Sequence, residues 1–548
     1  MRLAVLTICA LLAAACSETM TASDPTPSSA SPSPAPAAVP TAAEELEPFE
    51  RMACSMRRRE LRRIWAGYDP ERSGELQIVP RRPHFIGKWL SHSGPWNYVQ
   101  HVPLVFYGPG HVPEGVVVRR PVTTADIAPT LAAHLGFPFE APDGQPIAET
   151  IEPDAAPPRL ILVVIWDAVG RNVLDEHPDS WPTLRRVSRE GAWMRRASVG
   201  SSPSVTPTIH TTLGTGAFPR HHGIVDLRFR TDGKLLPSRR VGPRLVRSPT
   251  LVELYDEAHA NRPLVGLVAS GGTFGMIGQG GHRPGGDPDL LIAEYHGEYS
   301  SQRNPELYAY ADYVDEIPGP EVDARAVDLE DGRADGVWMG ERVLGNRDDL
   351  AHTPAFSPYQ TRVIEEVIRR EGFGADDTPD MLFTNYKQTD NVSHRWSMNS
   401  RQMGAVLRAS DAELGALIEL LDRHVGEREW LLVLTADHGS TPNPETTGAF
   451  VIDNNELLAD LRAAFDGDGD EREAIRDLRV TQIWLDLEEL REHGHTVGDV
   501  ATFVAQYTKA QNRQDPSLVA ESERNDLLFE AAFPGAVLED LPCIEERG

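Results

Sequence analysis

Asp437 and His438 stand side by side in the stretch LTADHGS, directly after an apolar run. A carboxylate oxygen and an imidazole at the end of a strand can both reach one metal ion. Asp390 and His394, in KQTDNVSH, are four residues apart, so on a helical turn both side chains point the same way. Asp167 ends a further apolar run, LILVVIWD. Each motif alone is also typical of a helix cap or turn, but three aspartates at strand ends indicate a metal site.

A candidate nucleophile lies in the stretch SVTPTIHTTLGTG, which contains Thr206. Its hydroxyl groups are packed between proline and glycine residues, and such a rigid turn can present a nucleophile. On its own, this stretch is as consistent with a threonine-rich loop.

Short apolar runs predict the elements that position these side chains. The runs are PLVFYG (103–108), LILVVIWD (160–167), LVGLVAS (264–270), DMLFTNYKQTD (380–390) and LLVLTAD (431–437). Continuous apolar strands are typical of a parallel sheet that is covered on both faces. Between the last two runs, one apolar helical stripe is formed by Leu407, Leu414, Leu417, Ile418 and Leu421. The alternation predicts an α/β sandwich, in which ligands bind beyond the carboxyl ends of the strands.

The composition is that of a globular protein with a strongly acidic balance. The chain has 548 residues and a formal net charge of −29. A long polyanion such as a nucleic acid would be repelled, so we expect no binding of nucleic acid polymers. A small anionic phosphate ester could still be captured by a bound metal ion, whose charge dominates its surroundings.

The first residues resemble an export signal. MRLAVLTICALLAAAC has a basic residue, an apolar run and small residues before Cys16, which predicts a lipoprotein-type signal peptide over 1–16 with Cys16 lipidated. Ala13 stands where such signals usually prefer leucine, so ordinary secretion stays open. Residues 17–48, rich in Pro, Ser and Ala, predict a flexible linker. We expect an extracytoplasmic protein of the bacterial envelope, held to the membrane by a lipid anchor only.

Cys54 and Cys543 are the cysteines that remain outside the signal. In an oxidising compartment they either form a disulfide or stay as two buried thiols, and the cysteine count does not choose between the two.

Taken together and in order, VVIWDAVG, SVTPTIHTTLGTGAFPRHHGI, YKQTDNVSH and LTADHGS resemble the alkaline phosphatase superfamily. The resemblance covers residues 158–440 and is strongest to the nucleotide pyrophosphatase/phosphodiesterases and the phosphate-irrepressible alkaline phosphatases. It implies two Zn²⁺ ions, or other divalent metals. By matching position, the first zinc would be bound by Asp167, Thr206, Asp437 and His438, and the second by Asp390 and His394.

Such enzymes need a third ligand for the second zinc, a histidine that normally follows the other motifs. Downstream of the last motif the candidates are His493 and His495, and the polar stretch that contains them is typical of a segment on the protein surface. In the phosphate-irrepressible group this histidine precedes a His-Val-Pro-Leu motif, and HSGPWNYVQHVPL keeps His92 in register with it. The resemblance therefore implies that His92 completes the second site, with a histidine in a surface loop as the alternative.

The position of His92 near the front of the chain implies a circular permutation. FPGAVLED, near residue 533, resembles the family segment that should continue directly into GYDPERSGELQIVP at Gly67. Permutation is tolerated where the old chain ends lie close together at the surface. The new ends would then be close as well, and on this reading a Cys54–Cys543 disulfide is favoured over free thiols.

The resemblance implies a three-layer α/β sandwich with a mostly parallel central sheet and a cap insertion. We expect one catalytic domain over residues 50–548. Within it, 50–150 would be the permuted C-terminal segment, 158–225 and 376–445 the core of the metal site, and 226–375 the cap.

The implied function is that of an exported, zinc-dependent phosphoric ester hydrolase. Zinc would lower the pKa of the Thr206 hydroxyl, which would attack phosphorus and form a phosphothreonine intermediate. The second zinc would stabilise the leaving oxygen and then activate water.

Two departures from the family bear on the substrate. In HGIVDLRFR, Leu227 stands where the phosphodiesterase relatives have an asparagine that contacts a phosphoryl oxygen, and Arg228 or Arg230 could substitute for it. LVASGGTFGMIG has no cation where the monoesterase relatives have a Lys-x-Arg pair, which favours phosphodiesters or pyrophosphates. A phosphomonoesterase, an envelope transferase of phosphoethanolamine type and an inactive zinc-binding protein are the alternatives.

Overall fold

The structure is a computed structural model, and it describes residues 46–87, 90–269, 277–281, 288–293, 304–345, 347–466, 472–513 and 515–545. The predicted signal segment with Cys16, and the linker as far as residue 45, lie outside the described residues. Residues Glu47–Gly548 form one compact unit. Among the described residues, no helix combines the length and the hydrophobicity needed to cross a bilayer.

The strands, in chain order, are β1 Leu76–Pro80, β2 Phe85–Ile86, β3 Leu104–Tyr107, β4 Val116–Val118, β5 Val122–Thr123, β6 Leu160–Trp166, β7 Ala192–Met194, β8 Ala197–Ser198, β9 Arg228–Thr231, β10 Lys234–Pro237, β11 Val265–Ala269, β12 Asp289–Ala293, β13 Tyr308–Ala309, β14 Asp380–Tyr386, β15 Trp430–Thr435, β16 Val451–Ile452, β17 Ile475–Leu478, β18 Gln482–Leu485 and β19 Phe529–Pro534.

The helices are α1 Pro48–Ser55, α2 Arg58–Gly67, α3 Asn97–Gln100, α4 Ile127–His134, α5 Arg171–Glu176, α6 Pro182–Glu190, α7 Thr206–Thr215, α8 Pro219–His222, α9 Ser238–Leu245, α10 Leu251–Ala258, α11 Glu321–Asp328, α12 Arg347–Leu350, α13 Phe356–Val367, α14 Gln388–Trp396, α15 Arg401–His424, α16 Pro444–Thr447, α17 Asn454–Phe465, α18 Leu487–Glu492, α19 Val497–Ala505 and α20 Pro542–Glu545.

Within the described part of the chain, nine strands form the central sheet, in the order β13-β12-β11-β14-β6-β15-β3-β7-β4. Its neighbouring strands are parallel except where β3 pairs with β15 and with β7. Every residue of β6, β14 and β15 is buried, as expected for apolar strands that are covered on both faces. The predicted α/β fold with a mostly parallel central sheet is confirmed.

Helices on the two faces bury these strands. Helices α6, α13 and α14 pack against α15, while α4, α7 and α10 pack together as a second group. On α15 the predicted apolar stripe is buried, and the Ser400 side chain caps the helix by accepting a hydrogen bond from the Met403 N–H. Residues 226–375, expected as a cap, also contribute β11, β12 and β13 to the central sheet.

A second sheet joins the front of the chain to its rear. Strands β17, β18, β1 and β19 lie in that order and are antiparallel, with Leu76 of β1 opposite Pro534 of β19. Near this sheet, Cys54 and Cys543 form a disulfide with their Cα atoms 5.9 Å apart. The first described helices and the last ones are therefore held together covalently.

Candidate active site

Two neighbouring parallel strands place the first group of side chains. Strands β6 and β15 pair in register from Leu160 and Trp430 onward, so the residues that follow them, Asp167 and Asp437, lie side by side. The Nε2 atom of His438 is 3.2 Å from Asp437 Oδ2 and 3.6 Å from Asp167 Oδ1. All three side chains are fully buried. We call this group the first pocket.

The second group lies beyond β14, the neighbour of β6 on its other side. Asp390 and His394 are on α14, and His394 Nε2 is 3.4 Å from Asp390 Oδ1. His92 Nε2 is 3.6 Å from the same oxygen. The structure thus brings His92 from the front of the chain to the predicted partners, and we call these three residues the second pocket.

The two pockets adjoin each other, and the histidine rings are held in defined orientations. The rings of His92 and His438 stack with their centroids 3.5 Å apart. His92 Nδ1 lies 3.0 Å from the carbonyl oxygen of Ser204, and His394 Nδ1 lies 3.1 Å from that of Leu90. Because a carbonyl only accepts hydrogen bonds, each Nδ1 carries the proton and each Nε2 is left as a metal-binding lone pair.

Glycine allows the backbone of the first pocket to approach the segment that carries His92. Gly439 donates its N–H to the carbonyl of Val99, and a Cβ atom at residue 439 would lie 2.2 Å from the carbonyl oxygen of Tyr98. Its neighbour His438 is therefore fixed against α3, the short helix that follows His92. Only glycine fits at this contact.

The atoms that face the pockets lack hydrogen-bond partners within the described part of the chain. They are Asp167 Oδ1, Asp390 Oδ1, Asp437 Oδ2 and His438 Nε2, all of them buried. Each such atom costs about 1–3 kcal/mol when it is left unsatisfied, whereas a divalent cation would satisfy several at once. Carboxylate and imidazole ligands suit zinc and related metals, so the residues of both pockets fit a bound metal ion.

Burial shifts the protonation equilibria of the first pocket. It raises the pKa of Asp437 to about 6, and burial together with the charge of Asp437 raises the pKa of Asp167 to about 6. Burial also lowers the pKa of His438. It lowers the pKa of His92 well below the ordinary value of a histidine. The histidines are therefore neutral at pH 7, which is the form that binds metal.

The opposite shift occurs in the second pocket. Burial works to raise the pKa of Asp390, but His394, Lys387 and His92 outweigh burial and lower it below its ordinary value. Asp390 is therefore ionised, as a metal ligand must be.

Thr206 is the first residue of α7, followed by a proline in the first turn. Its side chain is buried, and its Oγ1 atom lies 3.2 Å from Nζ of Lys387. Because Lys387 also contacts a carboxylate of each pocket, the hydroxyl stands beside both pockets. A nucleophile that adjoins two bound metal ions would need this placement.

Lys387 is a residue of the candidate site that the sequence motifs did not single out. It lies between β14 and α14, and its side chain is only 16% exposed. Burial works to lower the pKa of Lys387, but Asp167 and Asp390 outweigh burial and raise it, so the ammonium group stays charged. The signal in the sequence was a single lysine in YKQTD, directly after a buried strand.

The remaining candidates lie away from the two pockets. His493 Nε2 is 3.0 Å from Glu489 Oε1, and the ring of His495 packs edge-on against Phe465. Neither histidine is grouped with a residue of either pocket among the described residues.

The two arginines near Leu227 are engaged by carboxylates. Leu227 is 37% exposed, Arg228 pairs with Asp477 at 3.6 Å, and Arg230 is bound by both oxygens of Glu75. The middle of LVASGGTFGMIG, residues 270–276, lies outside the described residues.

Comparisons with known proteins identify relatives. The model of the family described as type I phosphodiesterase / nucleotide pyrophosphatase matches residues 161–538. Alkaline phosphatase PafA of Elizabethkingia meningoseptica is 26% identical over an alignment of 439 positions, which covers 69% of this chain and 77% of that protein. Alkaline phosphatase PhoD of Zymomonas mobilis is 22% identical over 316 residues, and the chain spans about half of its length, 54%. The crystal structure of PafA superposes with a TM-score of 0.50 at 17% identity, covering 69% of this chain and 84% of that one, which indicates a shared fold.

Proposed function

The chain belongs to the type I phosphodiesterase / nucleotide pyrophosphatase family, and we propose that it is an exported, zinc-dependent phosphoric ester hydrolase that works through a phosphothreonine intermediate. One observation carries this proposal. Two pockets of buried, unsatisfied ligand atoms adjoin one buried threonine hydroxyl at a helix N-terminus. The alkaline phosphatase relatives support hydrolysis of phosphate esters as the reaction class.

In the proposed mechanism, the carboxylates and histidines hold the metal ions and Thr206 is the nucleophile. Asp167, Asp437 and His438 would hold one ion beside Thr206, and the second pocket would hold the other. Bound zinc supplies Lewis acidity, which lowers the pKa of the hydroxyl and stabilises the leaving oxygen. Thr206 Oγ1 gives up its proton and forms a bond to phosphorus while the bond to the leaving alcohol breaks, and the alcohol leaves with a proton from solvent. Water then attacks the same phosphorus and breaks the bond to Thr206 Oγ1, which regains a proton; phosphate is released from a monoester, or a phosphate monoester from a diester.

The charge beside Thr206 bears on which class of phosphate ester the site would hydrolyse. The preference for diesters rested on Leu227 and on the missing Lys-x-Arg pair in residues 267–278. Lys387 supplies a cation beside Thr206 from a different part of the chain. Monoesters and diesters are therefore both candidates, and a transferase with the same ligands would show little hydrolysis with water as acceptor.

We further propose that the chain is a circular permutant of this family. The family match begins at residue 161 and leaves out residues 50–150. That segment provides His92 for the second pocket and β3 for the central sheet, beside β15. The pairing of β1 with β19 lies where the proposed original connection would run.

Replacement of Thr206 tests the proposed function. We expect zinc-loaded protein to hydrolyse p-nitrophenyl phosphate or bis-p-nitrophenyl phosphate. Thr206→Ala should lose at least about 10³-fold in kcat, whereas Thr206→Ser should retain turnover. Acid quenching with a ³²P-labelled monoester should leave label on the wild type and none on Thr206→Ala. Thr211→Val, five residues further along α7, is the matched control. Activity that survives in Thr206→Ala would exclude the mechanism.

A further inference from the structure

Lys387 lies where the two pockets and the nucleophile meet. Its Nζ atom is 2.9 Å from Asp167 Oδ2, 2.7 Å from Asp390 Oδ2 and 3.2 Å from Thr206 Oγ1. No other described lysine or arginine forms an ion pair with an aspartate of either pocket. Lys387 directly follows β14 and stands three residues before Asp390 in the chain, so the same turn positions both side chains.

The carboxylate oxygens are divided between Lys387 and the pockets. Asp167 and Asp390 each give Oδ2 to the ammonium group and leave Oδ1, the atom without a hydrogen-bond partner in the described chain, for the metal pocket. Lys387 and a metal ion therefore use different oxygens. Ions in the two pockets would therefore leave both carboxylate partners of the lysine in place.

The charge of the filled site depends on this lysine. With Thr206 still protonated, three ionised aspartates and two divalent cations would leave one net positive charge, and Lys387 would raise it to two. The phosphoryl group of a monoester carries two negative charges at pH 8, and that of a diester carries one. In a buried site such charges are weakly screened, so the balance matters to binding and to the transition state.

We infer that Lys387 contacts the transferred phosphoryl group and makes phosphate monoesters the preferred substrate class. It does so from the β14–α14 turn, in place of a cation pair that residues 267–278 do not carry. This inference rests on the proposed function, because it assigns the substrate of the same site.

Lys387→Met and Lys387→Arg test the inference, with p-nitrophenyl phosphate and bis-p-nitrophenyl phosphate as substrates of the full chain. Lys387→Met should lower kcat/KM for the monoester by about 10²–10³-fold, as for loss of one donor to a phosphoryl oxygen, and for the diester by less than about tenfold. Lys387→Arg should restore part of the monoester rate. Calorimetry should show weaker binding of inorganic phosphate to zinc-loaded Lys387→Met, with zinc content unchanged.

Asn385→Ala is the matched control. Asn385 Nδ2 donates to the same Asp167 Oδ2 at 2.9 Å but carries no charge. This variant should affect both substrates alike.

The possible results separate the inference from the proposed function. An equal loss on both substrates in Lys387→Met, or loss of zinc from that variant, would make Lys387 a structural residue and overturn the inference. If neither Lys387→Met nor Lys387→Gln folds, the wild type decides, because a higher kcat/KM for the diester also overturns it. Activity independent of Thr206 would instead refute the proposed function.

Discussion

Replacement of His92 by alanine is the strongest test of how the second pocket is built. The pocket has three side chains, and His92 comes from a part of the chain about 300 residues before the other two. His92→Ala leaves Asp390 and His394 as the protein ligands. It also removes the ring that stacks on His438 at 3.5 Å, so the first pocket loses a packing contact while keeping its own ligands.

The size of the effect can be worked out from the ligand count. Loss of a group that merely supports a metal ligand already costs 10- to 100-fold in metal affinity, so loss of one of three ligands should cost at least about 100-fold, or about 2.7 kcal/mol. With free zinc held at ten times the wild-type Kd, the second pocket would be about 90% filled in the wild type and about 10% filled in the variant. Zinc content should therefore fall from about two ions per chain to about one.

Metal analysis in a zinc buffer, together with kcat/KM, measures both consequences. We expect His92→Ala to lose one zinc and most of its activity, with partial rescue at high zinc. His495→Ala is the matched control, because His495 packs against Phe465, belongs to no candidate metal-binding group of the described residues, and should keep two zinc ions. Two zinc ions and full activity in His92→Ala would refute the proposed second pocket and the permutation argument that depends on it.

Three further predictions concern stability and backbone fit. Cys54→Ala opens the disulfide and should lower the free energy of unfolding by about 2–5 kcal/mol in chemical denaturation; an unchanged midpoint would contradict this. Burial raises the pKa of Asp226 to about 6, so the folded wild type loses stability as pH rises from about 4 to about 6. Asp226→Asn should therefore be as stable as the wild type at pH 4 and up to about 3 kcal/mol more stable at pH 8, whereas parallel pH profiles would rule this out. Gly439→Ala places a Cβ atom 2.2 Å from the Tyr98 carbonyl and should lower kcat/KM at least about tenfold. Gly345→Ala, which meets no atom within 4 Å, is its control, and equal rates would contradict the expectation.

Much of the fold follows from local patterns in the sequence. The apolar runs before Asp167, Asp390 and Asp437 are long and fully buried, and they become β6, β14 and β15, three adjacent strands of the central sheet. Because parallel strands end at the same edge, Asp167 and Asp437, which follow β6 and β15, had to converge. Asp390, expected at a strand end, lies instead in the first turn of α14, which begins two residues after β14 ends and brings Asp390 to the same edge. The pairing of histidines with these aspartates was visible as short spacings in the chain.

Other parts of the site carry no such local signal. The approach of His92 to Asp390 depends on packing between distant segments, and only the family resemblance indicated it. The direction of the Lys387 side chain depends on the turn between β14 and α14, and a lysine after a strand is usually exposed. The antiparallel pairing of β3 is also a tertiary property, since an apolar run does not encode its direction within a sheet.

The disulfide makes most of the chain a covalently closed loop. Cys54 and Cys543 are 489 positions apart in the chain, so the backbone between them and the bond itself form a closed covalent loop. A protease that cuts this loop once releases no fragment, because both pieces stay attached through the sulfur bridge until it is reduced or a second cut is made. The starting point of the chain then matters little to the finished domain, since a loop has no first residue.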